Sequence, residues 1–326
     1  MNPMLERTID AYDTELLSRS RVFVVGTGGS RGFVETLART GISEMVLIDP
    51  DTSGYSNIGT QQAFLDEIGE AKVNCLKRRL ATINRDLRVK ARQMRFEDIA
   101  RPDLDYLLRE GWDGSPVPAQ TVLVLSTDNF YAQAHGNRVA LEYGVPSASA
   151  QVYQDGLAAE FSFTHPDLTT ACNRCALEGR YRAYLEQGFV NQTTSRGAPV
   201  FCADRVNSTL GFLTLMVLHH GSDHPRWGDM LKRAGNRNLM QLQMWPDTPL
   251  GVFGRVFGGA DQQRLFFDNL VWLPQKPDHP DSNGTPACPD CGGTGNLHDA
   301  RGSFPGTDLY RMRPASKRLS AAGLVS

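Results

Sequence analysis

Two pairs of cysteines carry the clearest chemical signal in this sequence of 326 residues. Cys172 and Cys175 form one CxxC unit, and Cys288 and Cys291 form a second. Two thiolates at this spacing can bind one metal ion, and four complete the closed tetrahedral shell of a structural zinc site. We therefore predict that these four residues bind Zn²⁺. A redox pair is the alternative, although neither unit opens a strand–helix segment of the thioredoxin type.

A glycine-rich turn between an apolar run and a helical pattern indicates a nucleotide-binding loop. The run RVFVVG ends at Gly26, and Gly28 and Gly29 follow before the helix. Glycines let the backbone approach a phosphate or ribose, and the N–H groups at a helix start attract anions. Asp49 ends the next apolar run, where an acidic side chain can accept hydrogen bonds from ribose hydroxyls. The alternative is a strand-to-helix turn without ligand, since a strict GxGxxG pattern would have glycine in place of Arg31.

Strands and helices that alternate along the chain would position these residues. Apolar, β-branched runs are typical of buried parallel strands. The predicted strands cover residues 21–26, 45–48, 87–94, 122–125, 145–152, 158–163 and 264–273. The predicted helices cover residues 1–20, 33–40, 70–83, 130–143 and 207–220. This order predicts an α/β fold with a Rossmann-like, mostly parallel sheet flanked by helices, right-handed crossovers and C-terminal strands.

The overall composition excludes several classes of protein. The net charge of −2 gives no field that would favour nucleic acid or an anionic membrane. No apolar stretch is expected to approach the length of a membrane span, and the first 17 residues lack the apolar core of a signal peptide. We therefore expect a cytoplasmic protein with neither nucleic-acid nor membrane partners.

Several motifs resemble, in their order, the ThiF/MoeB/HesA adenylyltransferases, which share the adenylation domain of ubiquitin-activating enzymes. They are GTGGSRG (26–32), IDPD (48–51), SN (56–57) with Gln61, GEAK (69–72), STDNF (126–130) and the two CxxC units. The resemblance covers most of the chain from residue 21 to residue 292. It implies that a carboxylate attacks the α-phosphorus of MgATP, that pyrophosphate leaves, and that an acyl-adenylate forms.

The resemblance also implies roles for individual residues. Lys72 matches the family lysine that contacts the phosphates, and Asp128 matches the aspartate that holds Mg²⁺. Asp49 matches the acid that binds the ribose. Asn57 and Gln61 match polar residues that lie near the phosphates.

Three of the charged positions allow a plainer interpretation. Lys72 could be an exposed helix lysine, and Asp128 could cap the helix that begins at Phe130. Asp51, which we also predict to bind the nucleotide, could serve only the Asp-Pro-Asp turn in which it lies.

The sequence departs from the family pattern at one phosphate-binding position. Thr60 stands where the family motif SNLxRQ has arginine. Loss of one donor or cation that faces transition-state charge typically costs a factor of about 10²–10³ in rate. We hypothesise that Arg31, inside the glycine-rich turn, supplies the missing charge as a catalytic residue; the alternative is that it points to solvent. Arg7 is a weak match for the family arginine that an N-terminal arm donates across a dimer.

The remaining expectations concern partners and the unpaired cysteines. In the family, the carboxylate is usually the C-terminal glycine of a ubiquitin-like or sulfur-carrier protein, and a peptide is a further option. Family members generally dimerise, so the resemblance implies a homodimer, with ATP, Mg²⁺ and Zn²⁺ as cofactors. Cys75 and Cys202 are predicted to be buried core residues, with adenylation that needs no enzyme thioester.

The sequence divides into three predicted parts. Residues 1–165 form a nucleotide-binding adenylation domain, residues 166–295 a C-terminal part with a crossover-type loop and the CxxC pairs, and residues 296–326 a flexible tail. One rival is an NAD- or FAD-dependent Rossmann oxidoreductase, in which Lys72 and Asp128 would have no function. A second rival is a family member with weakened activity that acts as a binding scaffold. Thr60 and Arg31, which depart from the family pattern, are the evidence for this rival.

Overall fold

One eight-stranded sheet forms the centre of the fold in a computed structural model, which describes residues 3–190, 198–245, 269–279 and 287–302. The strands are β1 (Ser20–Val25), β2 (Glu44–Ile48), β3 (Arg88–Arg92), β4 (Gln120–Leu125), β5 (Ser147–Val152), β6 (Ala158–Thr164), β7 (Leu239–Gln243) and β8 (Leu270–Leu273). Their spatial order is β3-β2-β1-β4-β5-β6-β7-β8. The first five strands are parallel, and β6, β7 and β8 join antiparallel. The predicted mostly parallel sheet with C-terminal strands is confirmed.

Helices cover both faces of this sheet. The α-helices in the described residues are α1 (Thr14–Leu17), α2 (Arg31–Leu37), α3 (Ile58–Gln61), α4 (Lys72–Ile83), α5 (Arg101–Arg109), α6 (Phe130–Tyr143), α7 (Asn173–Ala176), α8 (Glu178–Leu185), α9 (Val200–Leu218) and α10 (Met230–Ala234). Successive side chains of a strand point to opposite faces. Accordingly, Val22 and Val24 of β1 pack with α2, α4 and α9, whereas Phe23 and Val25 pack with α5 and α6.

Most predicted elements lie where the pattern placed them. The N-terminal helix and the start of α9 differ from the prediction. The helix predicted over 130–143 is α6, and that over 70–83 is α4. The long helix predicted over 1–20 is wrong: of the described residues 3–20, Thr14–Leu17 alone is α-helical, because the Asp13 side chain accepts a hydrogen bond from the Leu16 N–H and starts a new turn. Strand β7 was not predicted. Of the strand predicted over 264–273, residues 264–268 lie outside the described residues.

Helix α9 is longer than predicted and corrects one expectation. It begins at Val200 rather than at residue 207, and by length and composition alone its 19 residues could cross a membrane. The expectation that no apolar stretch approaches that length is therefore wrong. Half of the apolar window is buried inside the fold, where Leu210 and Leu213 belong to the main core. Core helices meet the same length criterion, so we infer no membrane contact from it.

The sheet connects the first two predicted parts of the chain. Strand β6 pairs with β7 through the register Phe161↔Met240, so hydrogen bonds cross the predicted boundary at residue 165. Of the predicted tail, residues 297–300 form a short 3₁₀ helix (Leu297–Ala300), and residues 303–326 lie outside the described residues. The three-part division stays a prediction.

Candidate functional site

A cavity of about 820 Å³ opens at the carboxyl ends of β1, β2 and β4. Val25, Ile48 and Ser126 mark those strand ends on its wall. Strand β1 lies between β2 and β4 in the sheet. The connection after β1 leads to β2 and the connection after β4 leads to β5, in opposite directions along the sheet. A crevice forms between these two connections, and it is the usual ligand position in open α/β sheets. The predicted site residues that line the cavity are Gly26, Gly28, Gly29, Asp49, Asp51, Gln61, Lys72 and Asp128. Arg31 and Asn57 are not part of its wall.

One position of the glycine-rich turn requires glycine for reasons of space and backbone conformation. Gly26 has φ of +85°, and a Cβ atom there would lie 2.2 Å from the backbone oxygen of Ser126. Gly28 packs against the Gln61 side chain, whose Oε1 would lie 2.5 Å from a Cβ atom at that position. The turn therefore lies close to two neighbouring segments and exposes backbone to the cavity.

Asp49 holds the turn in place from the end of β2. Its buried Oδ2 accepts hydrogen bonds from the Thr27 N–H at 2.7 Å and from the Thr27 hydroxyl at 3.2 Å. Its Oδ1 accepts from the Asp51 N–H at 3.0 Å. Asp49 thus fixes both the glycine-rich turn and the turn after β2 while it still lines the cavity.

Lys72, the first residue of α4, points into the cavity rather than to solvent. Its side chain is only 12% exposed, and Nζ lies 3.0 Å from Oδ2 of Asp51. The exposed-lysine interpretation is therefore wrong. Asp51 is 63% exposed and partners this lysine across the cavity mouth, so it does more than form a turn.

Asp128 does not cap helix α6, because the neighbouring residue Asn129 does. Asn129 is the N-cap of α6, and its Oδ1 accepts hydrogen bonds from the N–H groups of Tyr131 and Ala132. The alternative that Asp128 caps this helix is therefore wrong. The Asp128 carboxylate is exposed on the cavity wall at the end of β4, and no hydrogen bond to it is found within the described ranges.

The two predicted amides behave differently. Asn57 accepts a hydrogen bond from the Gly54 N–H at 2.8 Å and supports the loop instead of the cavity. Gln61 lines the cavity, and its buried Oε1 has no hydrogen-bond partner among the described residues. An unpaired buried oxygen is costly, so this atom is a candidate to accept a hydrogen bond from a ligand.

Arg31 does not occupy the role that we hypothesised for it. Its Nη1 and Nη2 each lie 2.5 Å from a carboxylate oxygen of Glu67, and its Nε donates to Glu35 at 3.1 Å. Burial alone would lower the pKa of Arg31, but hydrogen bonds to Glu67 and Glu35 raise it. Arg31 is buried, so the solvent-facing alternative is equally wrong. Its charge is neutralised behind the cavity and is not available as a phosphate cation.

The cavity has a second end that the sequence patterns did not indicate. It lies beyond β5 and is lined by Gln151, Tyr153, Arg180, Tyr184 and Phe189. Helix α8 places Arg180 and Tyr184 there and follows the first CxxC unit almost directly. The segment after Cys175 is polar and irregular in sequence, and this pattern gave no indication that the segment lines a cavity.

Helix α9 adds a further residue that the patterns missed. Asn207 is buried, lines the cavity, and donates from Nδ2 to the Gly29 backbone oxygen at 3.0 Å. A side chain from the C-terminal half thus holds the glycine-rich turn that the N-terminal half supplies.

The four predicted metal ligands come together in one buried cluster. The Sγ atoms of Cys172, Cys175, Cys288 and Cys291 all lie within 4.8 Å of one another. Distances between Sγ atoms include 3.9 Å (172–175), 3.8 Å (172–288) and 3.6 Å (175–291), which excludes disulfides. Tetrahedral zinc with Zn–S bonds of about 2.3 Å requires S···S separations of about 3.8 Å. The donor set therefore fits zinc, and a redox pair does not explain why the two CxxC units share one site.

Buried charges around the cluster fix its geometry. Burial and hydrogen bonds among the thiols raise the pKa of Cys172, whereas hydrogen bonds from Cys172 and Cys175 lower the pKa of Cys288. Asp290, between the second pair of cysteines, forms an ion pair with Arg138 of α6 at 2.6 Å. The cluster is thereby tied to the helix that begins beside Asp128.

The other two cysteines are buried. Burial raises the pKa of Cys75 and of Cys202. The Cys202 Sγ lies 3.6 Å from the Gly156 backbone oxygen, beside the cavity but not on its wall. Both therefore have the surroundings expected of core residues.

Comparison with known proteins shows the family of this chain. The family model described as "ThiF family" matches residues 3–258, which is well over half of the sequence. The chain belongs to the ThiF family. The resemblance inferred from the motifs is thereby confirmed.

Individual relatives of this ThiF-family chain match shorter stretches. The tRNA threonylcarbamoyladenosine dehydratase of Bacillus subtilis is 34% identical over 110 residues, which are 32% of this chain and 43% of that protein. Ubiquitin-like modifier-activating enzyme 5 of Drosophila willistoni is 27% identical over 174 residues, which are 53% of this chain and 42% of that protein. The chain therefore spans less than half the length of these two curated relatives.

Solved structures of E. coli MccB share the fold. MccB with succinimide has a TM-score of 0.53 and 19% identity, and the match covers 76% of this chain and 69% of that chain. MccB with ATP has a TM-score of 0.50 and 20% identity, and the match covers 72% of this chain and 63% of that chain. At this identity the likeness supports the fold alone.

Proposed function

We propose that this chain is an ATP-dependent adenylyltransferase that activates a carboxylate as its acyl-adenylate with release of pyrophosphate. One observation carries the proposal: Asp49, Lys72 and Asp128, from three different elements, meet the glycine-rich turn in one cavity at the carboxyl edge of the sheet. A largely buried lysine and a carboxylate that accepts no hydrogen bond from the described residues lie beside exposed backbone, an arrangement that suits a polyphosphate with a divalent cation.

Each residue would then have a defined task. Asp49 would accept hydrogen bonds from the ribose, and the turn from Gly26 to Gly29 would approach the phosphates. Lys72 would exchange part of its contact with Asp51 for the phosphate oxygens. Asp128 would hold Mg²⁺, which when bound offsets the charge of the phosphates.

The reaction itself needs positioning more than proton transfer. An oxygen of the substrate carboxylate forms a bond to the α-phosphorus, and the bond from that phosphorus to the bridging oxygen breaks. The electron pair leaves with pyrophosphate, so no proton has to be moved by a side chain. Fixed cations that face the growing charge on the leaving group are therefore the main catalytic contribution of the protein.

The relatives support a macromolecular substrate. One relative is by name a ubiquitin-like modifier-activating enzyme, and MccB has been solved with ATP in one structure and with MccA and AMPCPP in another. We propose that this chain activates the C-terminal carboxylate of a ubiquitin-like or sulfur-carrier protein, or of a peptide. We further propose a cytoplasmic homodimer with one Zn²⁺ per chain at the four-cysteine cluster.

Exchange of radiolabelled pyrophosphate into ATP tests the adenylation step directly. Wild-type protein should catalyse exchange only when a carboxylate substrate is added, for example a panel of peptides and β-grasp proteins with glycine at the C-terminus. Replacement Lys72→Ala should lower the exchange rate by about 10²–10³-fold, because a cation opposite the phosphates is lost. Lys77→Ala on the exposed face of the same helix is the matched control and should leave the rate unchanged. Equal rates in both variants would contradict the proposed role of Lys72.

The scaffold alternative has one specific observation in its favour. Thr60 stands at the family arginine position, and its hydroxyl donates back to the Ser56 backbone oxygen at 2.9 Å. Since Arg31 is paired with Glu67, no substitute cation comes from that residue. Variant Thr60→Arg should raise exchange if the site is a weakened adenylyltransferase. No exchange in either protein, with retained binding of MgATP, would favour the scaffold.

A further inference from the structure

We infer that Arg180 binds the amide carbonyl next to the reacting carboxylate of the C-terminal substrate proposed above. This inference rests on the proposed adenylyltransferase function and assigns the second end of the cavity.

The division of the cavity leaves this end for the acyl group. The residues proposed for the nucleotide, namely the glycine-rich turn, Asp49, Lys72 and Asp128, follow β1, β2 and β4 or begin α4. The remaining wall comes from residues 94–97 after β3, from β5 and the segment after it, and from α6, α8 and α9. Arg180 lies at the β5 side, which is separated from β2 and β3 by β1 and β4. A carboxylate that reaches the α-phosphorus from the β5 side would bring the group next to it beside Arg180.

Arg180 is the cation that lies at this end. Among the described residues of the wall, the other cations are Lys72 and Arg95, and both lie on the β2–β3 side. Arg180 is only 19% exposed, and its Nη1 donates to Oε1 of Gln151 at 3.0 Å. The same Nη1 lies 2.8 Å from Oε1 of Glu160. A guanidinium has five N–H groups, so further donors remain for a ligand oxygen.

A buried acid holds this guanidinium in one orientation. Glu160 is 7% exposed and lies opposite Gln151 in the β5–β6 ladder. Its other oxygen accepts a hydrogen bond from the Tyr153 hydroxyl at 2.7 Å. Burial and the Glu160 charge raise the pKa of Tyr153, which therefore keeps its proton. The Arg180–Glu160 ion pair is electrically neutral overall, so Arg180 suits a neutral carbonyl better than a free carboxylate as its ligand.

A chain of polar contacts links Arg180 to the proposed magnesium side. Gln133 donates from Nε2 to the Thr127 backbone oxygen at 2.5 Å, one residue before Asp128, and also lies 3.4 Å from Oε1 of Gln151. Arg180 donates to that same oxygen. The guanidinium therefore lies two side chains away from the strand end that carries Asp128.

The aromatic neighbour of Arg180 on α8 is fixed in place. Tyr184 lines the cavity with Arg180 and stacks on Phe130 with ring centroids 4.3 Å apart. The amide carbonyl of an extended peptide terminus is the acceptor that the remaining N–H groups of Arg180 would bind.

Two acyl-adenylate analogues test this inference without knowledge of the natural substrate. The probes are 5′-O-sulfamoyladenosine, which lacks an acyl group, and its N-(N-acetylglycyl) derivative, which adds a glycyl carbonyl and the neighbouring amide carbonyl. Isothermal titration calorimetry gives the Kd of each, and the ratio of the two Kd values isolates the acyl end. Wild type should bind the acylated probe more tightly. Arg180→Ala should shrink the ratio by about 10–100-fold, because a hydrogen bond from a charged group is lost.

The controls separate a binding role from a structural one. Arg182→Ala removes an exposed arginine of the same helix, which pairs only with Glu178 among the described residues, and should leave the ratio unchanged. Arg180→Lys retains a positive charge beside Glu160 without the fork, and replaces Arg180→Ala if that variant fails to fold; its ratio should also shrink. An unchanged ratio in the Arg180 variants, equal weakening of both probes, or no gain from the acyl group in wild type would each overturn the inference. Failure of wild type to bind sulfamoyladenosine and ATP would instead refute the proposed function, and the inference with it.

Discussion

The ion pair between Arg31 and Glu67 yields the sharpest prediction about stability. The arginine side chain is 6% exposed and the glutamate 2%, and the two are joined by a bidentate contact. Without Arg31, the Glu67 carboxylate would retain the hydrogen bond from the Phe64 N–H and a distant contact to Arg79 at 3.8 Å. A buried charge left in this way typically costs about 3–5 kcal/mol. We therefore expect Arg31→Met to lower the free energy of unfolding by that amount.

Urea unfolding at pH 7 measures this effect, with two comparison proteins. Arg19→Met breaks a pair with Glu15 in which both side chains are largely exposed, and it should cost about 0–1 kcal/mol. The double variant Arg31→Met/Glu67→Leu removes both charges and should regain most of the loss. Equal costs for Arg31→Met and Arg19→Met would refute the reasoning, as would a double variant less stable than Arg31→Met.

The same pair predicts a dependence on pH and on nucleotide. Burial would raise the pKa of Glu67, but hydrogen bonds from Arg31 and the Phe64 N–H hold it below its ordinary value. Its contribution to stability is therefore complete at neutral pH and is lost as the pH falls through the lowered pKa. Because Arg31 lies behind the cavity wall, the Kd of Arg31→Met for MgATP should stay within about threefold of wild type below its melting range. An increase of tenfold or more in this Kd would instead support Arg31 as a phosphate cation.

Two further predictions concern the metal cluster and a buried histidine. Metal analysis should find one zinc per chain. Cys288→Ser should lose the metal and much of the stability, because binding of structural zinc contributes to folding. Wild-type protein that folds without metal would contradict the site. Burial, and then His220, lower the pKa of His165 to about 4. The neutral form is favoured by folding, so stability should fall by up to about 3 kcal/mol as the pH drops from about 6.5 to 4. His165→Gln should flatten that slope and the exposed His279→Gln should not; identical slopes would refute this.

Local patterns in the sequence predicted the parts of the site that depend on chain order. Glycines, an acid at the end of β2 and a carboxylate after β4 converge because parallel strands end at one edge of the sheet. Lys72 was predicted from the family resemblance, and the structure places it at the start of α4 beside that edge. The four cysteines were predictable because a shared metal requires them to meet.

The features that the patterns missed depend on contacts between distant segments. Arg31 and Glu67 are 36 residues apart, and nothing near Arg31 in sequence reveals that a carboxylate from another loop neutralises it. Arg180 likewise depends on Glu160 across the β5–β6 pair. The N-terminal helix fails for a local reason, since Asp13 competes for the backbone and starts a new turn.

Calorimetric titration of MgATP into the wild-type protein tests the central claim most directly, with Lys72→Ala, Lys77→Ala and NAD⁺ as comparisons. The account predicts one MgATP per chain, weaker binding by at least tenfold in Lys72→Ala, unchanged binding in Lys77→Ala, and no competition by NAD⁺. No heat of binding with MgATP, or displacement of the nucleotide by NAD⁺, would contradict it.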